Sequence, residues 1–96
     1  MTAYVIVQVD VQDAQRYENY KPMVPPSLEP FGGRFVVRGS DAETLEGDWA
    51  PGRLVVIAFP DRAKAKQWLE SDVYSEARAL RQATARTQMI VVDGVE

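Results

Sequence analysis

The residues that could do chemistry in this sequence are arginine, lysine, tyrosine, tryptophan and the carboxylates, because the chain has no histidine and no cysteine. Their absence excludes a histidine general base, a thiolate nucleophile and the usual ligands of haem and of most transition metals. We therefore expect no metal site and no cofactor. Any catalysis would depend on Asp, Glu, Tyr, Arg or Lys, or on the reactivity of the substrate itself.

Arginine is the first candidate for ligand binding, since eight of the eleven basic residues are arginine. A guanidinium binds a carboxylate through two parallel hydrogen bonds, so this bias favours a small anionic or enolic ligand. Arg34 and Arg38 alternate with Val36 in a predicted strand, which would put both arginines on one face of a sheet. They either line the entrance of a pocket or protect an edge strand from unwanted pairing.

A second group of binding candidates lies in the predicted helices. Tyr74 and Arg81 are seven residues apart and share one helical stripe, where a half-buried arginine needs an acidic partner or a bound anion. Asp10, Glu46 or another carboxylate of the chain could be that partner. Tyr20 and Trp68 are candidates either for the core or for a pocket wall. The predicted ligand-binding residues are Tyr20, Arg34, Arg38, Trp68, Tyr74 and Arg81.

Two acids are candidates for a catalytic proton acceptor. Glu46 lies in the segment "LEGDW", and Asp10 lies at the end of the first predicted strand. Neither belongs to a recognisable acid–base pair, and the chain contains no phosphate-binding loop or metal-ligand motif.

Hydrophobic periodicity predicts the element order βαββαβ. The predicted strands are "YVIVQVDV", "RFVVR", "RLVVIAF" and "TQMIVV", with "ETLE" resuming the second strand after a bend or bulge at 39–42. A helix is expected from about Asp13, broken at Pro22 and continued to about Glu29. Further helical segments should follow the caps at Asp61 and at Ser71 or Asp72.

This order is typical of the α+β ferredoxin-like arrangement, an antiparallel sheet with helices on one face. The first and third strands are apolar towards both faces, so a monomer would expose a face of Val and Ile to water. A second sheet packed back to back in a homodimer would cover it, which gives a dimeric α/β barrel. The 96 residues are expected to form a single domain, 1–96.

Four segments carry a family resemblance: "AYVIVQVDVQDAQRYENY", "FGGRFVVRG", "LEGDW" followed by "RLVVIAFP", and "VYSEARALR". Together they resemble the dimeric α/β-barrel family known as domain of unknown function 1330. The resemblance implies a ferredoxin-like protomer that pairs through its sheet. The wider superfamily includes cofactor-free monooxygenases, lactone isomerases and haem enzymes, and the missing histidine argues against the haem enzymes.

The charge and the hydrophobic pattern limit the remaining partners. A net charge of −3 argues against nucleic acid as a partner, and no apolar run approaches the ~20 residues of a membrane span. The N-terminus lacks a leader pattern, so a cytoplasmic location is expected. We favour a small-molecule-binding barrel, with or without cofactor-independent enzymatic activity. The alternatives are a cofactor-free monooxygenase or isomerase acting on a small carboxylate or an enolic or aromatic substrate, and a purely structural or stress-response dimer.

Overall fold

The computed structural model describes residues 1–95 and contains four strands and four α-helices in that part of the chain. The strands are β1 (Ala3–Val11), β2 (Arg34–Asp41), β3 (Arg53–Phe59) and β4 (Ala85–Asp93). The helices are α1 (Ala14–Tyr20), α2 (Val24–Leu28), α3 (Arg62–Glu70) and α4 (Asp72–Thr84), with 3₁₀ turns at Lys21–Met23 and Glu29–Phe31. No helix within residues 1–95 is long and apolar enough to cross a membrane.

The four strands form one antiparallel sheet in the order β2-β3-β1-β4. This confirms the predicted α+β, ferredoxin-like arrangement. The helices pack on the face that carries Val5, Val7 and Val9, and we call this the inner face. The opposite face, with Tyr4 and Ile6, is the outer face, because side chains alternate along a strand.

The first helical segment begins, breaks and ends at the capping and helix-breaking residues of the sequence. The Asp13 carboxylate accepts a hydrogen bond from the backbone N–H of Arg16 and so caps α1. The helix then changes to a 3₁₀ turn that contains Pro22, as expected for a residue that cannot donate a backbone hydrogen bond. Gly32, with φ of 70°, ends the whole segment in the left-handed conformation.

Strand β2 contains two register shifts, one between Phe35 and Val37 and one between Arg38 and Ser40. The prediction of a bend or bulge near Gly39 is confirmed, since Gly39 has a φ of 76°. The first shift was not anticipated, and it makes the expectation that Arg34 and Arg38 share a face wrong. Arg34 pairs with Ala58 and Arg38 with Val55, and these two residues of β3 lie on opposite faces.

Residues 42–52, between β2 and β3, form an exposed loop rather than the resumed strand expected for "ETLE". The Thr44 hydroxyl donates to the carbonyl of Trp49 at 2.7 Å, which closes the loop on itself. The indole of Trp49 donates to the side-chain oxygen of Gln8 at 3.3 Å, although most of the ring stays exposed. Leu45 is also exposed.

The outer face of the sheet remains apolar and largely uncovered in the protomer. Val36, Ile90 and Val92 are among its exposed large hydrophobic residues, and Ile6 lies opposite Ile90. Contiguous apolar surface of this kind is typical of an interaction site. It fits the predicted back-to-back pairing of two copies.

We expect Ile90→Asp to weaken association of two copies, because it would bury an unpaired charge between the sheets. Val73→Asp is the matched control: Val73 on α4 is 57% exposed and Ile90 is 58% exposed, but Val73 does not belong to the sheet. Light scattering coupled to size-exclusion chromatography should show a lower mass for Ile90→Asp only. An unchanged dimer mass for Ile90→Asp would argue against the sheet as the interface.

Candidate functional site

A cavity of about 250 Å³ lies between the inner face of the sheet and the helices. Its floor is apolar and comes from all four strands, chiefly Val7, Val9, Phe35, Val55, Ile57 and Met89. Its aromatic wall comes from the helices and consists of Tyr17, Tyr20, Trp68 and Tyr74. The volume is near the lower end of the range for ligand pockets, which suits a small molecule.

The charged residues around this cavity are all basic. Lys21, Arg38, Arg53 and Arg81 line it, and no Asp or Glu does so among residues 1–95. The cavity is therefore lined by positive charge although the chain as a whole has a net charge of −3. A concentration of one charge sign in a low-dielectric cleft attracts ligands of the opposite sign.

Arg81 is the most buried of these cations, with an exposed fraction of only 7%. Its Nη1 donates a hydrogen bond to the Thr87 hydroxyl at 2.5 Å, whereas its Nε has no hydrogen-bond partner among residues 1–95. Within the described chain no carboxylate forms an ion pair with it, and neither Asp10 nor Glu46 is its partner. Both acids are exposed, Asp10 near the end of β1 and Glu46 in the 42–52 loop, so neither reaches a buried guanidinium.

Two tyrosines meet beside this arginine. The hydroxyls of Tyr20 and Tyr74 are 2.6 Å apart and buried. Burial raises the pKa of Tyr20, and the neighbouring Tyr74 adds to that effect. Burial also raises the pKa of Tyr74, although the hydrogen bond with Tyr20 and the Arg81 guanidinium act in the opposite direction. The two phenols therefore stay protonated near neutral pH and do not serve as bases; one donates to the other, which leaves one O–H of the pair free to donate to a ligand.

Tyr17 is a third phenol of the aromatic wall. Burial raises its pKa, while Arg53 lowers it. Its ring lies 5.2 Å from that of Tyr20, measured between centroids. Within the described chain its hydroxyl forms no hydrogen bond with a protein group, so the hydroxyl is available to a ligand.

Trp68 holds the helices together at the back of the cavity. Its ring centroid is 4.2 Å from that of Tyr74, and its Nε1 donates to the Ser27 hydroxyl at 3.0 Å. Ser27 in turn donates to the carbonyl of Val24 at 2.6 Å. Trp68 therefore joins α2, α3 and α4, and it is both a core residue and part of the cavity wall.

Arg38 and Arg53 lie on the β2–β3 side of the cavity. Arg38 stacks over the Phe35 ring, with its guanidinium carbon 4.4 Å from the ring centroid. Its Nη2 donates to the carbonyl of Lys21 at 3.1 Å, which fixes it against the break between α1 and α2. Arg53 is opposite Val9, so it belongs to the inner face.

Five of the six predicted ligand-binding residues line the cavity: Tyr20, Arg38, Trp68, Tyr74 and Arg81. Arg34 does not, because the register shift after Phe35 leaves it on the outer face. The predicted proton acceptors are also elsewhere. Asp10 lies at a shallower neighbouring cavity, and Glu46 lines neither one.

Three cavity residues were missed as ligand-binding candidates: Tyr17, Lys21 and Arg53. A signal for Arg53 was present, since it has the same parity as Val55 and Ile57 and therefore shares the inner face. Lys21 had no such signal, because its position depends on how the broken helix turns. Within residues 1–95, no group of three or more carboxylates is placed to hold a metal ion.

The fold and the cavity together define a ferredoxin-like protein with a basic, aromatic-walled cavity between sheet and helices. The family model described as domain of unknown function (DUF1330) matches residues 2–95. The chain therefore belongs to this family, which confirms the resemblance seen in the sequence. No match to a curated protein was found.

Solved structures show the same fold at low identity. A protein of unknown function from Rhodopseudomonas palustris has a TM-score of 0.77 and 21% identity over 99% of this chain and 83% of that chain. A dimeric ferredoxin-like protein of unknown function from Jannaschia sp. has a TM-score of 0.75 and 12% identity over 98% and 100%. A cofactor-independent oxygenase from Streptomyces nogalater has a TM-score of 0.67 and 13% identity over 99% and 94%.

We expect Arg81→Met to raise the free energy of unfolding of the ligand-free protein by about 1 kcal/mol, because it removes a buried charge that has no counter-ion. Arg78→Met is the matched control on the same helix. Arg78 donates to the carbonyl of Leu69 at 2.6 Å, so its loss should lower stability. Urea unfolding of both variants tests these opposite signs. A clear loss of stability in Arg81→Met would show that Arg81 is structural.

Stability should fall as the pH rises above about 10, where tyrosines of the unfolded chain ionise. The raised pKa values of Tyr17, Tyr20 and Tyr74 mean that the folded state keeps these protons. The contribution of the three buried phenols to the free energy of unfolding is complete below the tyrosine pKa of the unfolded chain. It is lost as the pH rises from there towards the higher pKa values of the folded state. Urea unfolding at about pH 9 and pH 11 measures the decrease, which Tyr20→Phe should make smaller. Equal stability at both pH values would contradict the burial of these phenols.

Proposed function

We propose that this protein is a homodimer that binds a small organic molecule in the cavity between its sheet and its helices. The ligand has an apolar body and an anionic or enolic oxygen. The observation that carries the proposal is Arg81, a buried guanidinium whose Nε has no hydrogen-bond partner in the described part of the chain. A buried charge of this kind is costly unless a ligand of opposite charge completes it.

The surrounding groups suit such a ligand. The Arg81 guanidinium lies on the same side of the cavity as the hydroxyls of Tyr20 and Tyr74, a protonated pair with one O–H left to donate. The apolar floor and the aromatic wall would exclude water from the bound oxygen. Under these conditions a charge-assisted hydrogen bond contributes roughly 1.5–3 kcal/mol to binding.

The second candidate is a cofactor-independent monooxygenase or isomerase that acts on a small carboxylate, enolic or aromatic substrate. The fold that it shares with the cofactor-independent oxygenase from Streptomyces nogalater favours this candidate. No carboxylate lines the cavity in the described chain, and the phenols are poor bases. The substrate would therefore have to ionise by itself, and the positive cavity would stabilise the resulting enolate. Mass spectrometry of a bound ligand before and after incubation in air detects the oxygen atom that a monooxygenase adds, and chromatographic separation of the released ligand detects an isomer of unchanged mass.

Native mass spectrometry of freshly purified protein should show the dimer mass and any retained ligand. Calorimetric titration with 2-naphthoate and its neutral amide then tests the recognition of charge. We expect Arg81→Met to lower the affinity for 2-naphthoate by about ten- to a hundredfold and the affinity for the neutral amide much less. Arg34→Met is the control, because Arg34 lies on the outer face and does not line the cavity.

If 2-naphthoate binds with equal affinity to the wild type and to Arg81→Met, the anion site is wrong. If no ligand is retained and neither probe binds, the purely structural or stress-response dimer becomes the better interpretation.

A further inference from the structure

The basic residues of the cavity fall into two groups on opposite sides of it. Arg81 is tied by its hydrogen bond to Thr87 on β4, at one edge of the sheet. Arg38 comes from β2, the other edge strand, and Arg53 comes from its neighbour β3. The central strand β1 separates the two groups and contributes only Val7 and Val9 to the cavity.

The strand register gives the scale of this separation. Thr87 and Arg53 both pair with Val9, so they lie in one row across β4, β1 and β3. Neighbouring strands are about 4.8 Å apart, which places the backbones of Thr87 and Arg53 about 10 Å from each other. Arg38 lies one strand further, in the row of Val55, Val7 and Met89, at about 14 Å from β4 in the direction across the strands.

The arginines on the β2–β3 side also lack acidic partners. Arg38 has only the carbonyl of Lys21 as a hydrogen-bond acceptor, and Arg53 forms no side-chain ion pair within the described chain. Asp41 pairs with Arg53 in the strand register but does not approach it within ion-pair distance. By contrast, the surface residues Arg16 and Arg62 each have an aspartate partner.

Lys21 contributes less to this second group. Its ammonium forms an ion pair with Glu18 at 2.9 Å, so Lys21 already has an acidic partner. The free charge on this side is therefore that of the two arginines. A guanidinium binds a carboxylate through two hydrogen bonds, and two guanidiniums at the sheet side suit one such group.

We propose that the natural ligand of the cavity is a small diacid, with one acidic group bound by Arg81 and the other by Arg38 and Arg53. This inference rests on the proposed function and names the class of ligand more closely. The apolar residues of β1 and the aromatic wall hold the body of the ligand between its two acidic groups. Arg81 is buried and the β2–β3 side is more open, so the second acidic group adds less affinity than the first.

Calorimetric titration with three probes of one ring system tests the proposal: 2,6-naphthalenedicarboxylate, its monomethyl ester and its dimethyl ester. We expect the diacid to bind about tenfold more tightly than the monoester, and the dimethyl ester to bind weakest. Arg53→Met and Arg38→Met should each reduce the affinity for the diacid to nearly that for the monoester. Neither substitution should change the affinity for the monoester. Arg81→Met should weaken both acids. Circular dichroism checks the fold of each variant, and Arg34→Met is the control with wild-type affinities.

The outcomes separate this inference from the proposed function. If the diacid and the monoester bind with equal affinity and Arg81→Met lowers both affinities, the diacid proposal is wrong but the proposed anion site still stands. A diacid preference that survives in both Arg38→Met and Arg53→Met would also overturn it. Binding of the dimethyl ester as tight as that of the acids, or no binding of either acid, would overturn both proposals.

Discussion

The central strand β1 is the constraint on which the rest of the structure depends. It is hydrogen-bonded to β3 on one side and to β4 on the other, and it is apolar on both faces. Its inner residues Val5, Val7 and Val9 pack against the helices, and Val7 and Val9 also form part of the cavity floor. Its outer residue Ile6 belongs to the apolar surface that remains uncovered in one protomer. One strand therefore links the site to the interface, because its two faces alternate residue by residue.

The cavity exists because the first helical segment cannot be one regular helix. The chain changes from α1 to a 3₁₀ turn at Pro22, and this turn brings the carbonyl of Lys21 to Arg38. On the other side, Trp68 packs against Tyr74 and binds Ser27, which keeps α3 and α4 close to α2. Between these two contacts the sheet is not covered by tightly packed side chains. The space is bordered by groups that suit an anion.

The site combines strong binding groups with few catalytic ones. The buried tyrosines beside Arg81 are held in the protonated form, so they donate hydrogen bonds and do not remove protons. No acid of residues 1–95 lines the cavity. A site of this composition can bind and polarise a ligand, but any reaction must begin from the ligand's own ionisation. The shared fold with a cofactor-independent oxygenase is consistent with such chemistry, and fold alone does not establish it.

The sequence by itself determined the strand order, the capped helix starts at Asp13 and Asp61, and the family, because alternation, caps and prolines are local signals. Most of the ligand-binding residues that it indicated also line the cavity, since helical stripes place Tyr20, Trp68, Tyr74 and Arg81 inward. Tertiary structure alone decided the side of each arginine of β2, because one inserted residue reverses every side chain beyond it. It likewise decided that no acid of residues 1–95 pairs with Arg81, because distant segments become neighbours only when the sheet and helices pack together.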